Sequence, residues 1–206
     1  MTAKKFLPLS AVAVAAALSL NACAGGAPGS SGSPMPGMDH GGMNTAPASS
    51  LPSTTGDHNN ADVMFAQMMI PHHAQAVEMS DMVLRKPDVP TSVSSLAARI
   101  KAAQGPEIAK MTDWLKDWNQ PTMMPGGHGM DGMMGDEDMA KLEAAQGTEA
   151  AKLFLLQMVA HHQGAVAMAK TEAAAGKNAD AIQLAKDIAS AQEAEIKEMQ
   201  QLLGTL

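Results

Sequence analysis

The run Met69-Ile-Pro-His72-His73-x-x-Ala76-Val77-x-Met79 returns 89 residues later as Met158-Val-Ala-His161-His162-x-x-Ala165-Val166-x-Met168. Aligning residues 65–79 with 154–168 gives 7 identities in 15, and the histidine pair is the only polar identity among them. A second repeat follows each copy: Gln104-x-x-Glu107-Ile108-x-x-Met111 matches Gln192-x-x-Glu195-Ile196-x-x-Met199. Apolar positions in all four segments fall at threes and fours, the period of a helix buried on one side. Two copies of a helix pair constrain the fold to an all-α class. They predict an antiparallel four-helix bundle built from two duplicated helical hairpins.

Boundaries follow from caps and breakers. Asn59 or Asn60 can cap a first helix that Pro87 and Pro90 stop, and Thr91 or Ser92 starts a second that runs to Trp118 before Pro121. A short helix is expected from Asp138 to Gln146, after which Thr148 caps a long helix broken at Gly176-Lys177-Asn178. The last helix runs from about Ala179 to Leu203, with Gly204 as its stop. Pro71 and Pro106 fall inside helices, where each removes a main-chain hydrogen bond and should bend its helix.

Upstream of this unit the chain changes character. Lys4 and Lys5 precede the uncharged run from Phe6 to Leu20, which ends in Leu20-Asn21-Ala22-Cys23. A basic start, a short apolar stretch and small residues before a processing point read as an export signal over 1–22. The apolar stretch is too short for a comfortable membrane span. Leu-x-Ala-Cys resembles a lipobox, which makes Cys23 the expected lipidation site and the membrane an expected partner; plain signal cleavage is the alternative. Residues 23–58 are rich in Gly, Pro, Ser, Thr and Met and read as a flexible tether, because they cannot bury enough apolar surface to offset chain entropy. Residues 59–206 form the expected bundle, with a Met/Gly-rich connection over about 120–137.

With one cysteine in the chain, neither an intramolecular disulfide nor a thiolate metal site is available. A metal would have to be held by His, Met and carboxylates. Loss of the signal leaves 12 basic against 21 acidic side chains, a net charge of −9, and no basic stripe for nucleic acid. Aromatic residues are too few to build a core, with three Phe, two Trp and no Tyr, so Ala, Leu, Val, Ile and Met must fill it.

Helical rise places the repeated residues at common heights. His72 lies 12 residues before Leu84 and Gln104 lies 12 after Ser92, both roughly 18 Å from the turn at about 1.5 Å per residue. The second half repeats the match between His161 and Gln192. Glu107 and Glu195 lie one turn further, level with Met69 and Met158. Adjacent helical residues point about 100° apart, so one histidine of each pair should face inward and the other should sit at the flank, within reach of a glutamate. Imidazole and thioether donors together suit copper. The candidate metal residues are His72, His73, His161 and His162 with Met69, Met79, Met158 and Met168. Gln104, Glu107, Gln192 and Glu195 would orient them from behind. The competing reading is a structural polar network, with methionine as adaptable core filler.

Two outlying segments carry methionine where burial offers it nothing. Met35, Met38, His40 and Met43 lie in the tether, and Met123, Met124, His128, Met130, Met133 and Met134 lie between the hairpins. Both are read as exposed arms that capture Cu(I), with Ag(I) as its mimic; compositional drift in a linker is the alternative. Glu-x-x-His pairs of di-iron bundles, His-Glu-x-x-His, haem-attachment and phosphate-loop motifs are all absent.

These residues resemble the family known as domain of unknown function 305. The likeness rests on Met-Ile-Pro-His72-His73-x-x-Ala76-x-x-Met79 in the first half. In the second it rests on Gly147-x6-Phe154-x3-Met158-x2-His161-His162-Gln163-Gly164-Ala165-x2-Met168. It covers residues 60–206, and the lipoprotein start is not part of it. The resemblance implies a ferritin-like four-helix fold, export, and, through members of the CopM type, copper binding. The expected function is a membrane-anchored, extracytoplasmic protein that sequesters or relays Cu(I), meets other copper-handling proteins and is not an enzyme. The alternatives are a metal-dependent redox enzyme of the ferritin-like class and a metal-free helical adaptor.

Overall fold

A computed structural model describes residues 57–123 and 130–206. They form α1 (Asn60–Leu84), α2 (Thr91–Asp117), α3 (Asp136–Ala144), α4 (Gly147–Ala175) and α5 (Ala179–Leu203), with no strand among the described residues. Cys23, Met35, Met38, His40, Met43, Met124 and His128 lie outside them. None of these helices is long and apolar enough to cross a membrane. His58, assigned by its sequence to the end of the tether, is buried and stacks on Trp118 with ring centroids 4.5 Å apart.

The helices begin and end close to where their caps and breakers put them, with two differences. Thr148 does not cap α4. The helix starts at Gly147, whose φ of +52° suits a residue without a Cβ, and Gln146 supplies the first main-chain acceptor, to Ala150, at 3.2 Å. α3 starts earlier than expected, at Asp136, because three acidic residues in its first turn favour the positive end of the helix dipole. α1 runs through Pro71 and α2 through Pro106 as single helices.

α1 lies against α2 and α4 against α5, while α1 against α4 joins the two pairs. Lys101 bonds Asp81 and Glu107 bonds His73, so numbers rise along α2 as they fall along α1; Glu193–Lys170 and Glu195–His162 repeat this in the second pair. α3 sits in the groove between α1 and α4 and buries Leu142 there. The core divides in two. One part holds Met79, Val83, Leu96, Phe154, Leu155 and Met158; the other holds Phe65, Met69, Met111, Leu115, Ala165 and Ile188. The histidines lie between these clusters, near mid-length of α1 and α4.

One carboxylate ties the start of α1 to the opposite hairpin. Asn59 accepts from Ala61 and Asp62 main-chain N–H groups at 2.8 and 3.2 Å, and Asp62 accepts from the Asn59 N–H at 2.5 Å, a closed capping box. Asp62 also accepts from the main-chain N–H groups of Lys177 at 3.0 Å and Asn178 at 2.9 Å, which fixes the turn between α4 and α5. Beside it, Glu172 is buried. Burial, followed by the hydrogen bond to Asp62 and that residue's charge, pushes the Glu172 carboxyl up to about 8. Burial also works against ionisation of Asp62. Hydrogen bonds from Glu172 and from the main chain outweigh that and hold Asp62 below its ordinary range. Burial beside the Asp62 charge therefore favours the protonated form of Glu172 at neutral pH.

That proton gives the fold a pH dependence of definite sign. The unfolded chain ionises Glu172 above its ordinary value of about 4.5, while the folded chain keeps the proton to about 8. Stability is therefore lost as pH rises through this window. Glu172→Gln, which mimics the protonated acid, should lack this contribution, so its melting temperature relative to the unaltered chain should rise between about pH 5 and 8. Equal slopes for the two proteins would place the proton elsewhere.

Candidate metal centre

Where α1 crosses α4, the two copies of the motif meet. His72 and His161 lie ring against ring, with centroids 3.8 Å apart and planes inclined at 41°. All four histidines are fully buried. The outer member of each pair is bonded within its own hairpin: His73 Nε2 donates to Glu107 at 2.8 Å, and His162 Nε2 donates to Glu195 at 2.7 Å. A donor at Nε2 leaves Nδ1 as a bare lone pair in the neutral ring. The glutamates thus fix tautomer and orientation, as carboxylates do behind metal-ligating imidazoles. They do so at α2 and α5 positions one turn beyond Gln104 and Gln192, as their spacing predicts.

The inner pair has little support. His72 Nε2 makes one long contact, 3.4 Å, to the Asp131 carbonyl. His72 Nδ1, both nitrogens of His161, and the Nδ1 atoms of His73 and His162 are buried without a hydrogen-bond partner. Gln104 and Gln192, also buried, leave amide atoms unpaired beside them. Burial, then the charges of neighbouring histidines, lowers His72 to about 4 and His161 to about 2. Main-chain contacts oppose the shift only weakly. Both rings are neutral at pH 7, the form that binds metal.

Sulfur lies near. Met69 and Met158 each precede a histidine pair by three residues, about one helical turn, and both are fully buried. Met79 and Met168 lie about two turns the other way. Met79 packs in the core with Met158, and Met168 lines an open cleft beside Met64 and Met68. Among the described residues no three His, Cys, Asp or Glu side chains converge to hold an ion by themselves. An ion that needs three or more ligands at this layer would have to draw on other donors, such as thioethers.

The connection between the hairpins differs from its expectation. Met123 is exposed, as predicted, but 130–134 is not a free arm. Gln75 grips Met134 from both sides, donating to its carbonyl at 2.8 Å and accepting from its N–H at 2.7 Å. Met130, Met133 and Met134 are half-buried, and Met134 packs against the core. Gly132, at φ +87°, lies so close to α4 that a Cβ there would meet the Ala160 carbonyl at 2.8 Å. A Cβ at Gly164 would run into the Asp131 carbonyl. The loop therefore caps the histidine layer directly. The signal for it was Gly164: a glycine inside a helix costs about 1 kcal/mol relative to alanine and marks a close approach.

Residues 62–203 match the family model of a domain of unknown function, DUF305. A DUF305 protein from Streptomyces coelicolor is 36% identical, with a TM-score of 0.67 over 70% of this chain and 93% of its own. A DUF305 fragment from Deinococcus radiodurans is 33% identical, with a TM-score of 0.66 over 72% of this chain and 98% of its own. CopM in its Cu(II)-bound form is 34% identical, with a TM-score of 0.61 over 70% of this chain and 96% of its own. CopM has also been solved with Cu(I) and with Ag bound. No match is found among curated proteins.

An unpartnered buried polar atom costs about 1–3 kcal/mol. His161→Leu should therefore raise the stability of the metal-free protein by roughly that much, read as an increase in melting temperature. The acid limb should change with it. The unfolded chain protonates this histidine below about pH 6.5 and the folded chain does not until about 2, so stability falls with pH below 6.5. The variant should fall less steeply. A lower melting temperature at every pH would mean that the ring is held by contacts worth more than its unpaired nitrogens cost.

Proposed function

The chain belongs to the DUF305 family, and from that premise we propose that it is an exported, membrane-tethered protein that binds Cu(I) to sequester or relay it. The observation that carries this reading is the set of buried, unpartnered imidazole nitrogens where α1 meets α4, with a buried methionine one helical turn before each histidine pair. A structural network would have paired those atoms, since a buried polar group without a partner is destabilising. A soft, low-coordinate ion fits them: imidazole and thioether suit Cu(I), and Ag(I) mimics it.

On this reading the four long helices form an antiparallel four-helix bundle of the ferritin-like kind. His72 and His161 are the inner ligands, and His73 and His162 are turned by Glu107 and Glu195 to offer Nδ1. Met69 and Met158 supply the nearest sulfurs, Met79 and Met168 outer ones, and Gln104 and Gln192 hold the layer from α2 and α5. Lipid on Cys23 anchors the molecule outside the cytoplasm, on the expected export signal 1–22 and tether 23–58. Met35, Met38, His40 and Met43, with Met123, Met124 and His128, raise the local copper concentration near the bundle, while Met130 belongs to the docked segment. Met133 and Met134 serve by closing the layer. Such a protein is a carrier rather than a catalyst, and it would meet other copper-handling proteins to load or unload. Copper bound in CopM, at 34% and 32% identity, is in keeping with this.

The test is an anaerobic Cu(I) titration against a competing chelator, on the chain from residue 24 and on the chain from residue 57. A site in the bundle should survive in the shorter chain with Kd at or below about 1 nM and raise its melting temperature, because a ligand held only by the native state stabilises it. Alanine at His72, His73, His161 and His162 should remove that site. Unchanged stoichiometry and affinity in the alanine variant would sink the bundle site.

A further inference from the structure

The duplication leaves two related grooves between α1 and α4, one on each side of the histidine layer, and they are finished differently. The groove formed by Met79, Met82 and Val83 with Leu153, Phe154 and Gln157 is filled by α3. There Leu142 is fully buried and Gln157 Nε2 donates to the Asp138 carbonyl at 2.9 Å. At the same offset of 89 residues, the other groove has Met64 where its copy has Leu153, Met68 where it has Gln157, and Met168 where it has Met79. No helix among the described residues covers it. It is an open cleft of about 260 Å³ whose wall includes Met64, Phe65, Met68, Met168 and Glu172.

We propose that this cleft is a second soft-metal site, in which the thioethers of Met64 and Met68 on α1 and Met168 on α4 take Cu(I) or Ag(I). Met64 and Met68 are four residues apart on one helix and so present neighbouring side chains, and Met168 faces them across the cleft. Three neutral sulfurs from two helices match the low coordination number and softness of these ions. At Met64 packing does not account for the choice of residue. Met64 is 46% exposed, and an exposed side chain contributes little of the roughly 1.5–3 kcal/mol that burying it would give. The copied position uses leucine, which fills space with fewer rotamers. Glu172 forms part of the same wall.

This inference rests on the reading of the chain as a soft-metal binder and moves Met168 from the outer set of the histidine layer to the cleft, but it uses none of the histidines, so the two can fail separately. The experiment uses the full-length chain, labelled with 13C at the methionine methyls, and Ag(I) as the probe. The methyl signals of Met64, Met68 and Met168, assigned by single leucine substitutions, should shift on Ag(I) addition. The triple variant Met64→Leu, Met68→Leu, Met168→Leu should bind one equivalent less of both Ag(I) and Cu(I) than the unaltered chain. Unshifted methyls, or a triple variant with unchanged stoichiometry, would overturn the cleft site whatever the histidines do. Displacement of Ag(I) from these methyls by equimolar Zn(II) would also overturn it, because a thioether site should not favour a harder ion. If the triple variant fails to fold, the methyl shifts in the unaltered chain decide. Binding unchanged by alanine at the four histidines, with the methyls still shifting, would remove the bundle site and leave the cleft standing.

Discussion

The contact between His72 and His161 organises this structure. It lies at the α1–α4 interface, the main seam between two hairpins that are otherwise self-contained, each with its own histidine–glutamate bond. Small residues make it possible: Ala76 and Ala165, both fully buried, follow each pair at the next turn and leave room for the rings. Five imidazole nitrogens without partners, at about 1–3 kcal/mol each, are a large burden against a typical folding stability of 5–15 kcal/mol. The fold carries it because the seam is flanked on both sides by apolar clusters, and because the outer rings are paired. Everything positioned around the seam serves either to relieve that burden or to keep water from it.

Duplication explains the symmetry of the layer, and an insertion explains its departures. Residues 130–146 have no counterpart in the turn of either hairpin. They place one carbonyl on His72, a glycine against α4, and a short helix in one of two equivalent grooves. His161, the pseudo-symmetric partner of His72, receives no such contact. The insertion has therefore made one inner imidazole different from the other and one groove different from its copy. The electrostatics follow: His161 is held further below its ordinary range than His72, with burial the leading cause in both.

The helices were legible because their signals were local. Asn59 before Asp62, Pro87 and Pro90, Asn178, and Gly204 each act within one turn of the boundary they mark. The glutamates behind His73 and His162 were legible for a different reason: the same residue types recurred at the same offsets, and helical rise turned those offsets into heights. What Gly164 signalled only as a close approach, without naming its partner, was the docking of 130–134. Its composition resembles an exposed linker, and the contacts that hold it, from Gln75 and Gly164, come from residues far away in the chain. The Asp62–Glu172 pair was hidden likewise, since 110 residues separate two carboxyls that only the fold brings together. Thr148 misled because a glycine before it could take a positive φ and begin the helix without a side-chain cap.

The donor set also discriminates among ions. Zinc in a closed site asks for four ligands drawn from His, Cys and carboxylates, and the described residues gather no three of these around one point. Calcium and magnesium ask for clustered oxygens, whereas the carboxylates here are turned outward onto His73 and His162 or paired at Asp62. What the interior offers is imidazole lone pairs with thioethers a turn away, neutral and poor in number. A divalent hard ion would pay its desolvation cost with little return. A monovalent d10 ion, more weakly hydrated and content with two or three soft ligands, loses least on entering such a site. The same scarcity of ligands that makes the layer a poor zinc site is thus what makes the proposed occupant selective.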